Sequence, residues 1–200
     1  MRPVSRREWI HVIAASGVWL LTRRAVAAAQ LPTQFFEPMR ICDSTTKPTP
    51  AVPAPSAPST ATARERTSLL EPGLDGVTLV LTGQVVGLRC GPVKGARIDF
   101  WQADAKGHVD ATGAHLRGYQ KTADLGRYRL ETIIPGAQPG RARMIWAKVQ
   151  PPAGASLTTA MFFADDPAAA NAPGYHPDLV LKTSASGAGK TATFDFILDL

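Results

Sequence analysis

The chain has 200 residues, of which 44% are hydrophobic, and a formal net charge of +6. This length and composition suffice for one sizeable core and leave little room for a second full domain. The basic residues outside the first 29 positions are scattered, with no run of them interleaved with aromatic residues, which argues against nucleic-acid binding.

Residues 1–29 have the layout of a twin-arginine signal peptide. Arg6 and Arg7 precede an apolar run over 9–21, and small residues follow it, so cleavage is expected near Ala27 or Ala29. The run is shorter than the about 20 apolar residues that a membrane span needs, which disfavours an uncleaved anchor. We therefore expect an exported protein, periplasmic or secreted, with no stable membrane span after cleavage. Loss of five arginines and one glutamate lowers the net charge to +2.

Residues 30–63 are expected to form a Pro/Ala-rich arm or linker. Over 47–63 the chain is dominated by Pro, Ala, Ser and Thr, a composition that cannot bury enough apolar surface to fold alone. The folded domain is therefore expected to span 64–200. Cys42 in the arm and Cys90 in the domain leave two alternatives open in an oxidising compartment: a disulfide between them or two free thiols.

The domain shows alternating apolar and polar residues, which is typical of strands with one buried face. Glycine and proline punctuate the segments between them, and we expect strands near 78–86, 96–102, 127–133, 144–150, 157–163 and 191–198. This pattern predicts an all-β fold, an antiparallel β-sandwich, with a helical turn near 167–172. The segment 184–191 resembles a phosphate-binding loop, but a strand follows it, so we assign it to a hairpin turn.

Several ordered blocks over 64–200 together resemble the intradiol ring-cleavage dioxygenases, the group that contains catechol and protocatechuate dioxygenases, and especially its short secreted members. They are Leu81-Thr-Gly-Gln-Val, Gly95-Ala-Arg-Ile-Asp-Phe-Trp-Gln-Ala-Asp, Leu116-Arg-Gly, Thr122-Ala-Asp-Leu-Gly-Arg-Tyr-Arg-Leu-Glu-Thr-Ile, Pro135-Gly, Arg141, Leu157-Thr-Thr and Thr193-Phe-Asp-Phe-Ile-Leu-Asp. The resemblance implies the β-sandwich core of that family, with the extended arm preceding it.

The resemblance also implies a non-haem ferric ion held by two tyrosines and two histidines. In this chain the four corresponding positions are Val109, Gln138, Met144 and Trp146. These side chains offer no anionic oxygen to a hard ferric ion. No cofactor is therefore predicted, although the family cofactor is Fe³⁺. Arg141 is the one family active-site residue retained.

Two functional hypotheses follow. In the first, the chain has lost ring cleavage and acts as a binding protein for a small aromatic ligand, or as a partner subunit in a homo- or hetero-oligomer with a catalytic relative. The second hypothesis is an active ring-cleaving dioxygenase or other metalloenzyme, with relocated ligands or with iron supplied by a partner chain. His108 is the first candidate for a relocated ligand, and further candidates are His115, Tyr119, Tyr175 and His176. The altered pocket is either open, with Gln138 and Arg141 as polar groups, or filled by apolar side chains.

Overall fold

The computed structural model describes residues 45–54, 63–110, 114–138 and 140–200. In these ranges ten strands form two sheets: β1 Thr78–Gly87, β2 Arg97–Gln102, β3 Arg117–Lys121, β4 Arg127–Ile133, β5 Met144–Gln150, β6 Leu157–Phe163, β7 Val180–Leu181, β8 Thr183–Ser186, β9 Gly189–Thr193 and β10 Phe196–Leu198. The described helical residues form short 3-10 turns at Asp124–Gly126, Ala169–Asn171 and Pro177–Leu179.

The first sheet is organised around the long strand β1. Strand β4 pairs antiparallel with β1, placing Leu81 opposite Leu130. Strands β9 and β10 both pair with β1 in parallel, β9 with its first half and β10 with its last three residues. Between these two pairings, the β1 backbone at Gly83 closely approaches Phe194. A Cβ on residue 83 would lie 1.7 Å from the Phe194 carbonyl oxygen.

The second sheet has the strand order β3-β2-β5-β6-β7. Its side chains alternate between two faces, as the two-residue period of a strand requires. On β5, Ile145, Ala147 and Val149 are fully buried, whereas Met144 and Trp146 lie on the opposite face and are half-buried. Two of the positions that the family resemblance assigns to iron ligands therefore lie on one face of one strand.

An aromatic cluster joins the two sheets in the core. The Phe100 ring of β2 lies 5.7 Å from the Tyr128 ring of β4 and 6.5 Å from the Phe196 ring of β10, measured between centroids. The Tyr128 hydroxyl is buried and donates to the Phe194 carbonyl oxygen at 2.7 Å. Burial raises the pKa of this phenol well above its ordinary value, with the charge of Asp195 as a smaller contribution.

The prediction of an all-β sandwich is confirmed, but the prediction of a purely antiparallel sandwich is wrong. Strands β9 and β10 pair with β1 in parallel, and β7 pairs with β6 in parallel. Directly bonded parallel neighbours cannot be joined by a tight turn. The chain runs through residues 164–179 between β6 and β7, and β1 is separated from β9 and β10 by most of the domain.

Five of the six predicted strands correspond closely to β1, β2, β4, β5 and β6. The predicted strand over 191–198 is divided into β9 and β10 around Phe194 and Asp195, and the short strands β3, β7 and β8 were not predicted. The segment 184–191 lies in the β8–β9 hairpin, as expected. The expected helical turn near 167–172 is present at Ala169–Asn171.

Residues 49–52 of the predicted arm pack onto the domain. The Thr49 backbone N–H donates to the Ile197 carbonyl, and the Thr49 hydroxyl oxygen accepts from the Ile197 N–H, each at 2.8 Å. The Val52 N–H donates to the Thr158 carbonyl at 2.9 Å, and the Val52 side chain is 3% exposed. This part of the arm therefore bonds to β10 in one sheet and to β6 in the other.

The predicted signal peptide and Cys42 lie outside the described residues. Cys90 is disulfide-bonded, while its pairing with Cys42 stays a prediction. Among the residues that are described, no helix is long and apolar enough to cross a membrane.

Candidate functional site

A tight turn after β2 meets the segment after β4, and these two segments lead to Val109 and Gln138, the positions that the resemblance assigns to the family's two tyrosines. The Gly136 N–H donates to the Asp104 carbonyl at 2.8 Å. A Cβ on Gly107 would lie 2.4 Å from the Ala137 carbonyl oxygen, so glycine is required for this contact. The backbones that lead to Val109 and Gln138 are therefore held against each other.

Val109 and His108 both lie toward solvent. Val109 is 44% exposed, and the His108 side chain is 79% exposed with its Nδ1 at 3.4 Å from Asp104 Oδ2. Asp104 Oδ1 accepts the backbone N–H groups of Lys106 and His108 at 2.8 and 2.9 Å. Burial acts to raise the pKa of the Asp104 carboxyl, but these hydrogen bonds and the His108 charge outweigh it and lower that pKa overall. His108 thus supports the turn through Asp104 and lies away from the interior.

Trp146 contacts another tryptophan on its face of the second sheet. It lies opposite Trp101 in the β2–β5 pairing, and the two rings are parallel within 5° with centroids 5.9 Å apart. Trp101 is 6% exposed and Trp146 is half-buried. The Trp146 indole is therefore packed against a second indole on this face of the sheet.

Gln138 and Arg141 form a short bridge before β5. The Arg141 backbone N–H donates to the Gln138 carbonyl at 3.0 Å. Gln138 is half-buried and Arg141 is exposed. The guanidinium is therefore free to meet a ligand from the solvent side.

The ferric ion that the family resemblance implies does not fit these residues. An aliphatic side chain, a neutral amide, a thioether and an indole N–H supply no anionic donor. Within the described residues, no group of three or more His, Cys, Asp or Glu side chains is arranged to hold a metal ion.

The other candidate ligands have separate environments. The Arg97 guanidinium lies 3.6 Å from the centroid of the Tyr119 ring. Tyr175 packs edge-on against Phe162 at 5.6 Å. His176 Nδ1 accepts from the Asp178 N–H at 3.2 Å, whereas His115 lines a cavity. The structure therefore does not bring these four candidate ligands together in one site.

That cavity was not predicted from the sequence. It has a volume of about 220 Å³ and lies between the loop before β1 and the turn after β2; its lining is Glu71, Pro72, Gly73, Leu74, Asp75, Asp104, Ala105, Lys106 and His115. The polar residues come from three distant segments. The pairing of β3 with β2 and the backbone hydrogen bonds of Arg64 and Arg66 to Tyr119 bring them together. A weak signal was present in Glu71-Pro72-Gly73, a charged turn directly before the first strand.

Glu71 lies at the centre of a polar network in the cavity wall. Its Oε2 lies 2.8 Å from His115 Nδ1, and its Oε1 lies 2.9 Å from a guanidinium nitrogen of Arg66. Arg66 also donates to the carbonyls of Ala114 and Arg117. The hydrogen bond to His115, followed by that to Arg66, lowers the pKa of the Glu71 carboxyl despite its partial burial.

Comparison with known proteins independently supports the family resemblance seen in the sequence. A family model described as "Dioxygenase" matches residues 52–144. The solved dioxygenase domain of a dioxygenase and carbohydrate-binding protein fusion from Streptomyces sp. SirexAA-E is 38% identical in sequence, with a TM-score of 0.72; the match covers 77% of this chain and 99% of that domain. This chain belongs to the intradiol dioxygenase family.

Other family members share the fold or a shorter sequence match. An intradiol ring-cleavage dioxygenase from Tetranychus urticae, 17% identical, matches with a TM-score of 0.68 over 77% of this chain and 95% of that protein. Catechol 1,2-dioxygenase 1 of Acinetobacter lwoffii is 40% identical over 73 residues, which are 33% of this chain and 24% of that enzyme. The chain therefore matches about a quarter of that curated relative's length.

Proposed function

We propose that this intradiol dioxygenase-like chain is an exported, non-catalytic protein that binds a small aromatic ligand. The observation that carries the proposal is the residue set Val109, Gln138, Met144 and Trp146 on a retained family scaffold. The fold is that of the family, while these four side chains lack the anionic oxygens that Fe³⁺ requires.

The stacked tryptophans support a binding role. Trp146 is half-buried and stacks on the buried Trp101, and its remaining exposed indole surface suits a planar ring. Gln138 and Arg141 supply polar groups nearby, where Arg141 is exposed. The same face could be completed by a catalytic relative, which makes a role as partner subunit part of the proposal.

Metal content and a visible spectrum test the loss of the iron site. The mature protein is purified after expression in iron-replete medium, its bound metals are measured, and oxygen uptake with catechol is followed. We expect no stoichiometric iron, no visible absorption band and no oxygen uptake above buffer. Stoichiometric iron with catechol-dependent oxygen uptake would instead establish the alternative, an enzyme with relocated ligands.

The partner role and export are tested separately. Size-exclusion chromatography with light scattering, alone and with a catalytic family member, should show whether an oligomer forms. Fractionation of cells that express the full chain should place the mature protein outside the cytoplasm, and replacement of Arg6 and Arg7 by lysine should retain it inside. Cytoplasmic recovery of the unmodified chain would contradict export.

A further inference from the structure

The first sheet has three buried side chains on the face that points away from the core. Val86 and its register partner Ile197 are 1% and 6% exposed, and neither belongs to the core cluster. Gln84, on the same face of β1, is 8% exposed. Elsewhere on this face, Arg129 and Thr193 are exposed. The end formed by Gln84, Val86 and Ile197, which we call the covered face, is therefore shielded from solvent.

The covered face contains a buried acceptor. The Gln84 side-chain oxygen Oε1 has no hydrogen-bond partner among the described residues. A buried acceptor without a donor retains the cost of its desolvation, and such atoms are rare in native proteins. An extended chain that crosses the face would bring backbone N–H groups to it. The Gln84 acceptor therefore indicates a donor on a covering segment.

The arm reaches the covered face at two points. Thr49 exchanges two hydrogen bonds with Ile197, so the chain that precedes Thr49 starts from this face. Cys90 lies in the turn after β1, where its N–H donates to the Gly87 carbonyl at 2.8 Å. Cys90 is disulfide-bonded, and the sequence contains one other cysteine, Cys42. The seven residues from Cys42 to Thr49 span at most about 25 Å, so a Cys42–Cys90 bond would hold this part of the arm close to the covered face.

Residues 30–44 have a sequence that fits the covered face. Met39 and Ile41 alternate with Arg40, so in an extended chain the two apolar side chains point to one side and the arginine to the other. The apolar side matches the Val86–Ile197 pair, and the arginine would remain in solvent. This segment of the arm is therefore the occupant that the covered face fits.

We propose that residues 30–44 form a strap across the covered face, fastened by a Cys42–Cys90 disulfide. A backbone N–H of the strap donates to Gln84 Oε1. Closing the disulfide joins the two sulfur atoms and passes two electrons and both thiol protons to a disulfide oxidant such as oxidised glutathione, which leaves as two thiols. The strap is thus fastened in an oxidising compartment and released by reduction. This inference goes beyond the proposed function and does not depend on an aromatic ligand.

Trypsin cleavage after Arg40 tests the strap on the purified mature protein. Cleavage requires local detachment of the segment, so the oxidised protein should be cut about tenfold more slowly than protein reduced with a phosphine, as measured by mass spectrometry. Cys42→Ser should be cut at the fast rate and should not respond to the reductant, which controls for other effects of the phosphine.

Two outcomes of these measurements would overturn the strap. Equal cleavage rates in the oxidised and reduced protein would show that the disulfide does not hold the segment on the sheet. A disulfide-linked dimer on a non-reducing gel would show that Cys90 bonds to a second copy of the chain. Either result leaves the non-catalytic assignment unaffected.

Gln84→Met tests the hydrogen bond to the strap. Methionine keeps the length of the side chain and removes the carbonyl acceptor. We expect the oxidised variant, folded by circular dichroism, to be cut after Arg40 about fivefold faster than the parent protein. Thr82→Val, on the same face of β1 but outside the covered face, is the matched control and should leave the rate unchanged. A Gln84→Met rate equal to or below that of the parent protein would exclude this hydrogen bond.

Discussion

The Tyr128 hydroxyl is a single polar atom inside an otherwise apolar cluster. It donates to the Phe194 carbonyl at 2.7 Å, and that carbonyl lies at the point where the chain leaves β9. A buried carbonyl that loses its donor retains the full cost of its desolvation. This one hydroxyl therefore helps to fix the break between β9 and β10.

Tyr128→Phe should lower the free energy of unfolding by about 1–2 kcal/mol, because it leaves the Phe194 carbonyl without this donor. Urea unfolding measures the change. Tyr119→Phe is the control, since that hydroxyl makes a longer, exposed bond of 3.3 Å to Glu65. The control should change stability by less than about 0.5 kcal/mol, and equal losses in the two variants would contradict the assignment.

Gly83→Ala tests the close approach of β1 to the same carbonyl. The new Cβ would meet backbone atoms at 1.7 Å, which a side-chain movement cannot relieve. We expect a loss of about 3 kcal/mol in the free energy of unfolding. Gly91→Ala, where nothing lies within 4 Å of the added Cβ, should change it by less than about 0.5 kcal/mol. A tolerated Gly83→Ala would show that β1 and Phe194 can separate.

At the scale of elements, β5 carries two of the four positions that the family resemblance assigns to iron ligands. Its alternation places Met144 and Trp146 on one face and three aliphatic residues on the core face. Histidines at positions 144 and 146, two residues apart, would have their imidazoles side by side on that face. Positions 144 and 146 of β5 therefore share one face, as two neighbouring metal ligands on a strand would need to.

Restoring the four family residues tests whether that geometry is intact. We expect the combined variant Val109→Tyr, Gln138→Tyr, Met144→His and Trp146→His to bind iron at least partially and to gain a visible absorption band from tyrosinate coordination. Metal analysis and absorption spectroscopy provide the measurement. The variant with only the two tyrosines is the control and should bind less iron. A folded but iron-free combined variant would mean that the backbone of the site has rearranged.

The sequence predicted the long strands well because their alternation is strong over seven or more residues. Strands β3, β7 and β8 were missed because their own sequences show no clear alternation. Which of their side chains are buried depends on pairing partners distant in the chain. The assignment of Val109, Gln138, Met144 and Trp146 to the family's ligand positions rests on motif spacing and stays a prediction. The cavity could not, because Glu71, Asp104 and His115 come together only through the tertiary fold.

At the scale of the whole molecule, the segment 49–52 bonds to both sheets. Thr49 exchanges two hydrogen bonds with Ile197 of β10, while Pro50 and Val52 bond to residues of β6. The Val52 side chain joins the core. This part of the arm thus contributes to stability although its composition is typical of a linker.

Thr49→Val keeps the shape of the side chain and removes its hydroxyl, which leaves the buried Ile197 N–H without its acceptor. We expect a loss of about 1–2 kcal/mol in the free energy of unfolding, measured by urea denaturation. Thr67→Val is the matched control at an exposed threonine. If Thr49→Val were as neutral as the control, the arm would not be part of the cooperative fold.

Acid should destabilise the fold through two glutamates. Hydrogen bonds to His115 and then Arg66 lower the pKa of Glu71, and a hydrogen bond to Arg129 lowers that of Glu131, both from an ordinary value of 4.5. Since the unfolded state binds protons more readily at these sites, their stabilisation is complete above about pH 5 and is lost as the pH falls through the folded-state pKa values.

Thermal melts from about pH 7 to about pH 3 should show a falling melting temperature below about pH 4.5. Glu71→Gln should flatten part of that fall, because it removes one of the two carboxyls. Asp75→Asn, at an exposed carboxylate in the same loop without an ion pair among the described residues, should leave the slope unchanged. A slope insensitive to Glu71→Gln would exclude this carboxyl as a source of the acid sensitivity.

The bonds made by Thr49 and Val52 also affect how this protein behaves at high concentration. A strand edge with unpaired N–H and carbonyl groups is a template on which another chain can add. Val52 donates its N–H to the Thr158 carbonyl on β6, in the part of that strand that β7 does not pair with. Thr49 bonds to both backbone groups of Ile197 on β10. Four residues of the arm thus protect an edge of each sheet against self-association.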